Sequence, residues 1–235
     1  MDNRPIGIFD SGVGGLSVLS ACSEVMKSED FIYLTDKSCM PYGNKPNAYI
    51  ASRAGFLTET LFSMGCKSVI VACNTATAVA IDGIRRYYDL PIFGVEPAVL
   101  PAVKNWRGGK ILVLVTCATA RQDRFKRLIE KCDNGNIEIL PLKNLATLIE
   151  NNFNDLDAVR EHIYLLLFPF KEVESVVLGC THYCHVKSII NDFYSGKVRL
   201  YDSGTSLSRY VFCTLKAKNM LKEGENQGKI DIINV

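Results

Sequence analysis

Two cysteines follow closely similar apolar segments and are the first residues in the sequence that could carry out chemistry. Cys73 lies in the segment SVIVACNT at residues 68–75, and Cys180 lies in SVVLGCTH at residues 175–182. The segments align without gaps, and in both a small residue precedes the cysteine and polar residues follow it. This internal repeat predicts two similar halves whose equivalent cysteines face one ligand.

A facing pair of thiols suits the inversion of a stereocentre without a cofactor. A proton must leave one face and another must arrive on the opposite face, which requires one thiolate and one thiol. We expect each cysteine at the end of a strand just before a helix, where backbone N–H groups and the helix dipole lower a thiol pKa. Either cysteine alone is better explained as a small residue in a crowded turn, so the repeat is what favours the pair.

Polar side chains beside the two cysteines fit supporting roles. His182 lies two residues after Cys180 and could assist its proton transfer, while Asp10 ends the first predicted strand and could serve Cys73. Because an ionised aspartate raises the pKa of a nearby thiol, Asp10 would orient the thiol and relay protons. The side chains that could hold a substrate carboxylate, and that equally suit helix N-caps, are Ser11, Asn74, Thr75 and Thr181.

The elements that must position these residues alternate between apolar runs and helical patterns, which favours parallel sheets covered by helices on both faces. The runs VIVAC and VVLGC are apolar throughout, as expected of strands buried on both sides. We predict an α/β fold of two pseudosymmetric, doubly wound domains with mainly parallel sheets and an active-site cleft between them. The predicted strands span residues 6–9, 31–35, 68–72, 91–94, 110–115, 138–140, 175–178 and 199–201, with a possible ninth at 230–233.

Glycine and proline near residues 94–97 mark the predicted boundary between the halves. We predict a first domain of residues 1–95 plus 204–235 and a second domain of residues 96–203, so that the tail returns to the first half. The predicted helices include residues 48–64, 77–88, 122–131, 158–167 and 206–221.

Composition and charge exclude several classes of protein. The 235 residues carry a net charge of +2, which is too small to indicate nucleic acid or an anionic membrane as partner. No apolar run approaches the roughly 20 residues of a membrane span and no secretory signal is visible, so we expect a cytoplasmic location. The nine cysteines are an odd number and suggest no disulfide framework. No metal site is predicted, because the cluster Cys180, His182, Cys184 and His185 lacks a second pair of ligands.

The glycine-rich segment DSGVGG at residues 10–15 leaves an alternative open. A glycine turn between strand and helix can cradle a phosphate. Here, however, the Lys-Ser or Lys-Thr of a P-loop is missing, and Ser17 stands where a dinucleotide fingerprint has its third glycine. A tight turn is the favoured interpretation, and a nucleotide-binding oxidoreductase is the alternative. A non-catalytic binding protein is a further alternative, which the intact cysteine pair disfavours.

Seven short motifs occur in the order typical of one family: DSGVGGLSVL, the Asp36 loop with PYG, ACNTATA, GVEPA, Thr-x-x-Thr at residues 116–119, LGCTHY and DSG at residues 202–204. On these motifs the chain resembles bacterial glutamate racemases, within the aspartate/glutamate racemase superfamily, over nearly its whole length. The resemblance implies a two-domain pseudosymmetric fold, no cofactor and a homodimer. It also implies glutamate as substrate and a D-glutamate product that supplies peptidoglycan synthesis.

The resemblance further implies roles for individual residues. Cys73 and Cys180 would be the catalytic acid–bases, assisted by Asp10 and His182. The residues implied to contact glutamate are Asp10, Ser11, Pro41, Tyr42, Gly43, Cys73, Asn74, Thr75, Thr116, Thr119, Glu150, Cys180, Thr181 and His182.

Two positions depart from the family pattern without removing a catalytic group. Cys184 follows LGCTHY where proline is usual, and Cys117 follows Thr116 where proline is more usual. Because the choice between amino acids depends on pocket size, a racemase of aspartate or another amino acid stays an alternative.

Overall fold

Two parallel β-sheets organise the chain, for which a computed structural model describes residues 2–133, 135–224 and 226–235. All nine predicted strands are found, with bounds shifted by at most two residues. The strands of the described residues are β1 (Ile6–Asp10), β2 (Phe31–Thr35), β3 (Ser68–Val71), β4 (Ile92–Gly94), β5 (Ile111–Thr116), β6 (Ile137–Leu142), β7 (Ser175–Leu178), β8 (Arg199–Tyr201) and β9 (Ile230–Asn234).

The two sheets repeat the same strand order. The first sheet runs β4-β3-β1-β2-β9 and the second runs β6-β5-β7-β8, with every pairing parallel. If β9 is left out, the two sheets have the same order. In each, the strand that comes first in the chain lies between the second and the third, and the fourth lies at the edge beside the third. The predicted α/β fold with two similar parallel sheets is confirmed. We call the first sheet with its helices the first half, and the second sheet with its helices the second half.

Helices cover both faces of each sheet. The predicted helices are found, although the helix expected at residues 77–88 begins earlier, at Asn74, and the last one ends earlier, at Ala217. The helices are α1 (Leu16–Val25), α2 (Asn47–Ser63), α3 (Asn74–Tyr87), α4 (Val99–Lys104), α5 (Cys117–Arg121), α6 (Asp123–Cys132), α7 (Leu145–Asn151), α8 (Arg160–Leu167), α9 (Lys187–Phe193) and α10 (Gly204–Ala217).

The core is divided by the sheets because β1, β2, β3, β5 and β7 are buried along their whole length. In the first half, α2 and α3 pack on one face of the sheet, while α1 and α10 pack on the other. The tail returns to the first half, since β9 pairs with β2. The residue limits of the two domains stay a prediction. No helix among the described residues is long and apolar enough to span a bilayer.

A buried ion pair fastens the amino-terminal edge of the first sheet. The Lys67 ammonium lies 2.6 Å from a Glu29 carboxylate oxygen, and both side chains are almost fully buried. Lys67 also donates to the carbonyl of Asp2 at 2.7 Å, and the other Glu29 oxygen accepts from the Lys222 amide at 2.7 Å. The pair therefore joins the start of the chain, the start of β3 and the returning tail.

We expect Glu29→Gln to lower the free energy of unfolding by about 3 kcal/mol, because the Lys67 ammonium would stay buried without its counter-charge. The matched control is Glu138→Gln, which removes the exposed partner of Lys110 and should cost at most about 1 kcal/mol. Equilibrium denaturation in urea measures both. Equal losses in the two variants would contradict a structural role for the buried pair.

Candidate active site

The strand order creates the same kind of crevice at the carboxyl edge of both sheets. In the first half, the chain leaves β1 towards α1 and leaves β3 towards α3, and these helices cover opposite faces. In the second half, β5 leads to α5 and α6 on one face, and β7 leads to α9 on the other. Ligands of open α/β sheets bind where neighbouring strands diverge in this way. Cys73 and Cys180 follow the strands of these two crevices.

A cleft between the halves contains about 500 Å³ of space, counted together with the solvent at its edge. Most of the residues implied to contact substrate line it, including both cysteines. Asp10, Thr119 and Glu150 are outside the lining and lie behind it. The lining residues are Ser11, Met40, Pro41, Tyr42, Gly43, Asn44, Cys73, Asn74, Thr75, Thr116, Cys117, Leu142, Asn144, Ala146, Thr147, Cys180, Thr181 and His182.

Cys73 occupies the N-cap position of α3. Its sulfur accepts a hydrogen bond from the amide of Ala76 at 3.5 Å and lies 3.8 Å from the Ser11 hydroxyl. The expectation that a helix start lowers the thiol pKa is wrong here. Burial raises the pKa of Cys73 above its ordinary value and the negative charge of Asp10 raises it further, while the Ala76 amide only partly opposes them.

Cys180, unlike Cys73, does not lead directly into an α-helix. A 3-10 helix at Thr181–Val186 comes between Cys180 and α9, so the helix predicted directly after this cysteine begins as a 3-10 helix. The sulfur lies 3.9 Å from Nδ1 of His182. Burial raises the pKa of Cys180 well above its ordinary value, and negative charge on Cys73 raises it further. The two thiols therefore interact electrostatically across the cleft.

A hydrogen-bonded chain orients His182. Its Nε2 lies 2.8 Å from Oε2 of Glu150, and the same oxygen accepts from the amide of Val13 at 2.8 Å. Burial opposes ionisation of Glu150, but the hydrogen bonds from His182 and Val13 hold its pKa below the usual value. With Nε2 bonded to the carboxylate, Nδ1 is the ring nitrogen directed at Cys180.

Asp10 lies fully buried behind the cleft. Its carboxylate accepts hydrogen bonds from the Ser11 amide at 2.6 Å and from the Thr181 hydroxyl at 3.0 Å. Burial raises the pKa of Asp10, which the charge of His182 partly offsets. Asp10 thus connects the Cys73 side of the site to the segment that carries Cys180.

Three threonine hydroxyls meet where α3 and α5 begin. The Thr75 hydroxyl lies 3.0 Å from that of Thr116 and 3.3 Å from that of Thr119, and the last two are 2.9 Å apart. Thr75 and Thr116 line the cleft. Beside them, the side-chain amide of Asn74 is buried and hydrogen-bonds to none of the described residues. A buried amide without partners is a ready pair of donor and acceptor for a polar ligand.

The PYG segment at residues 41–43 lines the cleft without a free hydroxyl group. The Tyr42 hydroxyl donates to the Asp36 carboxylate, which Arg53 also holds at 2.6 Å and 3.0 Å. Since this hydroxyl is already engaged, Tyr42 would meet a ligand in the cleft through its backbone or ring. Gly43 faces Thr116 across the cleft, where a Cβ added to the glycine would lie 3.5 Å from the Thr116 Cβ.

The sequence analysis also gave Cys117, which lines the cleft, no role at the site. It missed several other lining residues, which are Met40, Asn44, Leu142, Asn144, Ala146 and Thr147. Four of them lie at or after the carboxyl end of β6. The rule that ligands bind beyond the ends of strands could have found them.

The glycine segment at residues 12–15 leaves space that is occupied by side chains of the second half and not by a phosphate. A Cβ on Gly12 would lie 2.3 Å from Oε2 of Glu150, and one on Gly14 would lie 2.5 Å from Nδ1 of His182. The space above these glycines is therefore filled by side chains that include Glu150 and His182. The nucleotide-binding alternative loses its structural basis. Among the described residues, no group of three or more His, Cys, Asp or Glu side chains is arranged to hold a metal ion.

We expect Gly14→Ala to reduce catalytic turnover by at least about tenfold, because the added methyl group displaces the His182 imidazole from its position beside Cys180. Gly83→Ala is the matched control, since its Cβ in α3 would meet no atom within 4 Å. Turnover and thermal unfolding of both purified variants provide the measurement. Unchanged turnover in Gly14→Ala would refute the close approach of the halves at this point.

The fold and the cleft define a class: α/β proteins of two similar parallel sheets whose site is built jointly by equivalent edges. The family model described as Asp/Glu/Hydantoin racemase matches residues 6–211. The chain belongs to this racemase family.

Similar proteins include a glutamate racemase from Clostridium perfringens, 39% identical over 100% of this chain and 92% of the relative. Among solved structures, a glutamate racemase isoform from Bacillus anthracis matches with a TM-score of 0.87 and 26% identity, covering 100% of this chain and 89% of the other. The Escherichia coli glutamate racemase, solved with L-glutamate and the activator UDP-MurNAc-ala, matches with a TM-score of 0.85 and 29% identity, covering 97% and 89%.

Proposed function

We propose that this chain interconverts L- and D-glutamate, with Cys73 and Cys180 as the two acid–base groups. The observation that carries the proposal is the pair of buried thiols, which reach one cleft from equivalent positions of two similar halves. Opposed thiols match the stereochemical requirement, because racemisation removes a proton from one face of Cα and adds one to the other.

The proposed reaction conserves protons and charge. The thiolate of one cysteine takes the Cα proton and becomes a thiol, which leaves a carbanion stabilised by its own carboxylate. The thiol of the other cysteine then gives its proton to the opposite face and becomes a thiolate. The enzyme ends with the two protonation states exchanged, and the reverse reaction restores them.

Burial of both thiols suits this chemistry. Because their pKa values are raised, fewer thiolates form, but each thiolate is a stronger base towards the weakly acidic Cα–H. We propose that His182, oriented by Glu150, moves protons to and from Cys180. Asp10, which meets Ser11 and Thr181, would do so for Cys73.

Polar groups around the cleft support binding of an amino acid with two carboxylates. The Asn74 amide, which hydrogen-bonds to none of the described residues, lines the cleft together with the side chains of Thr75, Thr116, Ser11 and Thr181. We propose that Pro41, Tyr42 and Gly43 complete this site, with Thr119 behind it. Donors fixed in a dry cleft stabilise the negative charge that develops during proton removal.

The choice of glutamate rests on the relatives that bear this name and on the E. coli structure solved with L-glutamate. On the family resemblance we further propose that the reaction needs no cofactor. The protein would act as a homodimer in the cytoplasm, where D-glutamate would supply peptidoglycan synthesis.

Incubation with L-glutamate in deuterated water tests the proposal. We expect loss of optical rotation without added cofactor. Early in the reaction, D-glutamate should carry deuterium at Cα while the remaining L-glutamate keeps its proton, because one thiol removes the proton and the other delivers the deuteron. Cys73→Ser and Cys180→Ser should each lower racemisation at least about a thousandfold, whereas Cys213→Ser, at an exposed position of α10, should not.

Aspartate assayed in the same way tests substrate choice. No exchange and no optical change with either acidic amino acid would refute the racemase function. Full activity of Cys73→Ser or of Cys180→Ser would instead refute the assignment of these two thiols as the acid–base groups.

The raised thiol pKa values also predict the pH dependence. Since a raised pKa keeps a thiol protonated until higher pH, the active thiolate should accumulate as pH rises through and above neutrality. We expect kcat/KM for both enantiomers to increase steadily from about pH 6 to about pH 8.5. A rate already constant at the lower end of this range would show a resting thiolate and contradict the effect of burial.

A further inference from the structure

Two asparagines from opposite halves meet at the mouth of the cleft. The Asn44 side-chain amide donates to the Asn144 side-chain oxygen at 2.9 Å. Both residues line the cleft and both are exposed. Asn44 ends the 3-10 turn Tyr42–Asn44 of the first half, and Asn144 precedes α7 of the second half. The hydrogen bond therefore joins the two halves at an exposed edge of the cleft.

The conformation of Asn144 directs its side chain across the opening. Asn144 is the N-cap residue of α7, a position at which asparagine usually bonds to its own helix. Here it adopts the left-handed conformation, with φ of 64°, and makes no side-chain cap. The side-chain oxygen that would have capped α7 instead accepts from Asn44.

The remaining contacts at this mouth are also small and polar. Gly43 lies near Thr116, so that a Cβ added to the glycine would come within 3.5 Å of the Thr116 Cβ. Further along the rim, Asn47 and Gln122 exchange two side-chain hydrogen bonds of 3.2 Å and 3.0 Å. Exposed amide pairs contribute little net free energy because water replaces them readily. The mouth is thus bordered by contacts that break and reform easily, unlike the buried contact between Thr181 and Asp10.

We propose that the Asn44–Asn144 pair is a latch that holds the mouth of the cleft closed and opens to admit and release the ligand. The identity of that ligand as glutamate rests on the proposed function, whereas the latch itself depends only on the two asparagines. Closure of this kind excludes water from the thiols during proton transfer, and opening is needed once in each turnover.

Alkylation of Cys117 by iodoacetamide measures opening independently of catalysis. Cys117 lines the cleft and is partly buried, whereas Cys213 is exposed on α10 and serves as an internal control. The thiolate displaces iodide and gains a carbamidomethyl group, which peptide mass spectrometry quantifies at each cysteine. The test variants are Asn44→Ala and Asn144→Gly, because glycine retains the left-handed backbone at residue 144.

Each single variant should label Cys117 about two- to tenfold faster, as expected from the loss of one exposed hydrogen bond. The double variant should label it no faster than the faster single variant, since both substitutions remove the same bond. Labelling of Cys213 should not change. Asn105→Ala is the matched control, because its amide bonds to Pro101 within one half, and it should label Cys117 at the parent rate.

Unchanged Cys117 labelling in both single variants, or effects that add in the double variant, would overturn the latch. The latch and the proposed racemase function can also be refuted independently of each other. Faster labelling of Cys117 in a protein that racemises no acidic amino acid would leave the latch standing and refute only the proposed function. In an active protein, the latch predicts that KM for glutamate changes in the single variants while the deuterium pattern of the product is retained.

Discussion

The site depends on the close approach of the glycine segment at residues 12–15 to His182 and Glu150. Any side chain on Gly14 would occupy the position of the imidazole, so the two halves can meet here only because the segment presents bare backbone. The amide of Val13 then bonds to Glu150, and Thr181 bonds to Asp10. The Thr181–Asp10 contact is buried and the Val13–Glu150 contact is partly buried. Together they bring the equivalent edges of two separate sheets to one cleft.

Burial makes the two thiols weaker acids and makes their thiolates stronger bases. Desolvation raises both pKa values more than the backbone N–H groups lower them. A resting thiolate is therefore scarce, yet a thiolate that does form is more basic. In the reaction that we propose, the buried side chains of Asp10 and His182 would accept the displaced proton without contact with bulk water.

Strong and weak contacts are separated within the cleft. Near His182 the halves are joined by hydrogen bonds to the carboxylates of Glu150 and Asp10, of 2.8 Å and 3.0 Å. At the mouth they are joined by exposed amide pairs. Charged hydrogen bonds away from water are stronger than neutral exposed ones. Thermal motion between the halves would accordingly open the mouth first and leave the geometry around Cys180 in place.

Local patterns in the sequence predicted the elements, because buried parallel strands leave continuous apolar runs. The internal repeat predicted that Cys73 and Cys180 share one cleft, which both of them line. Local patterns also located the polar residues at strand ends. Only the tertiary structure decided that both thiol pKa values are raised, that Tyr42 is engaged by Asp36, and that Asn44 meets Asn144. Desolvation and contacts between residues far apart in the chain depend on how the two sheets pack, which no local pattern encodes.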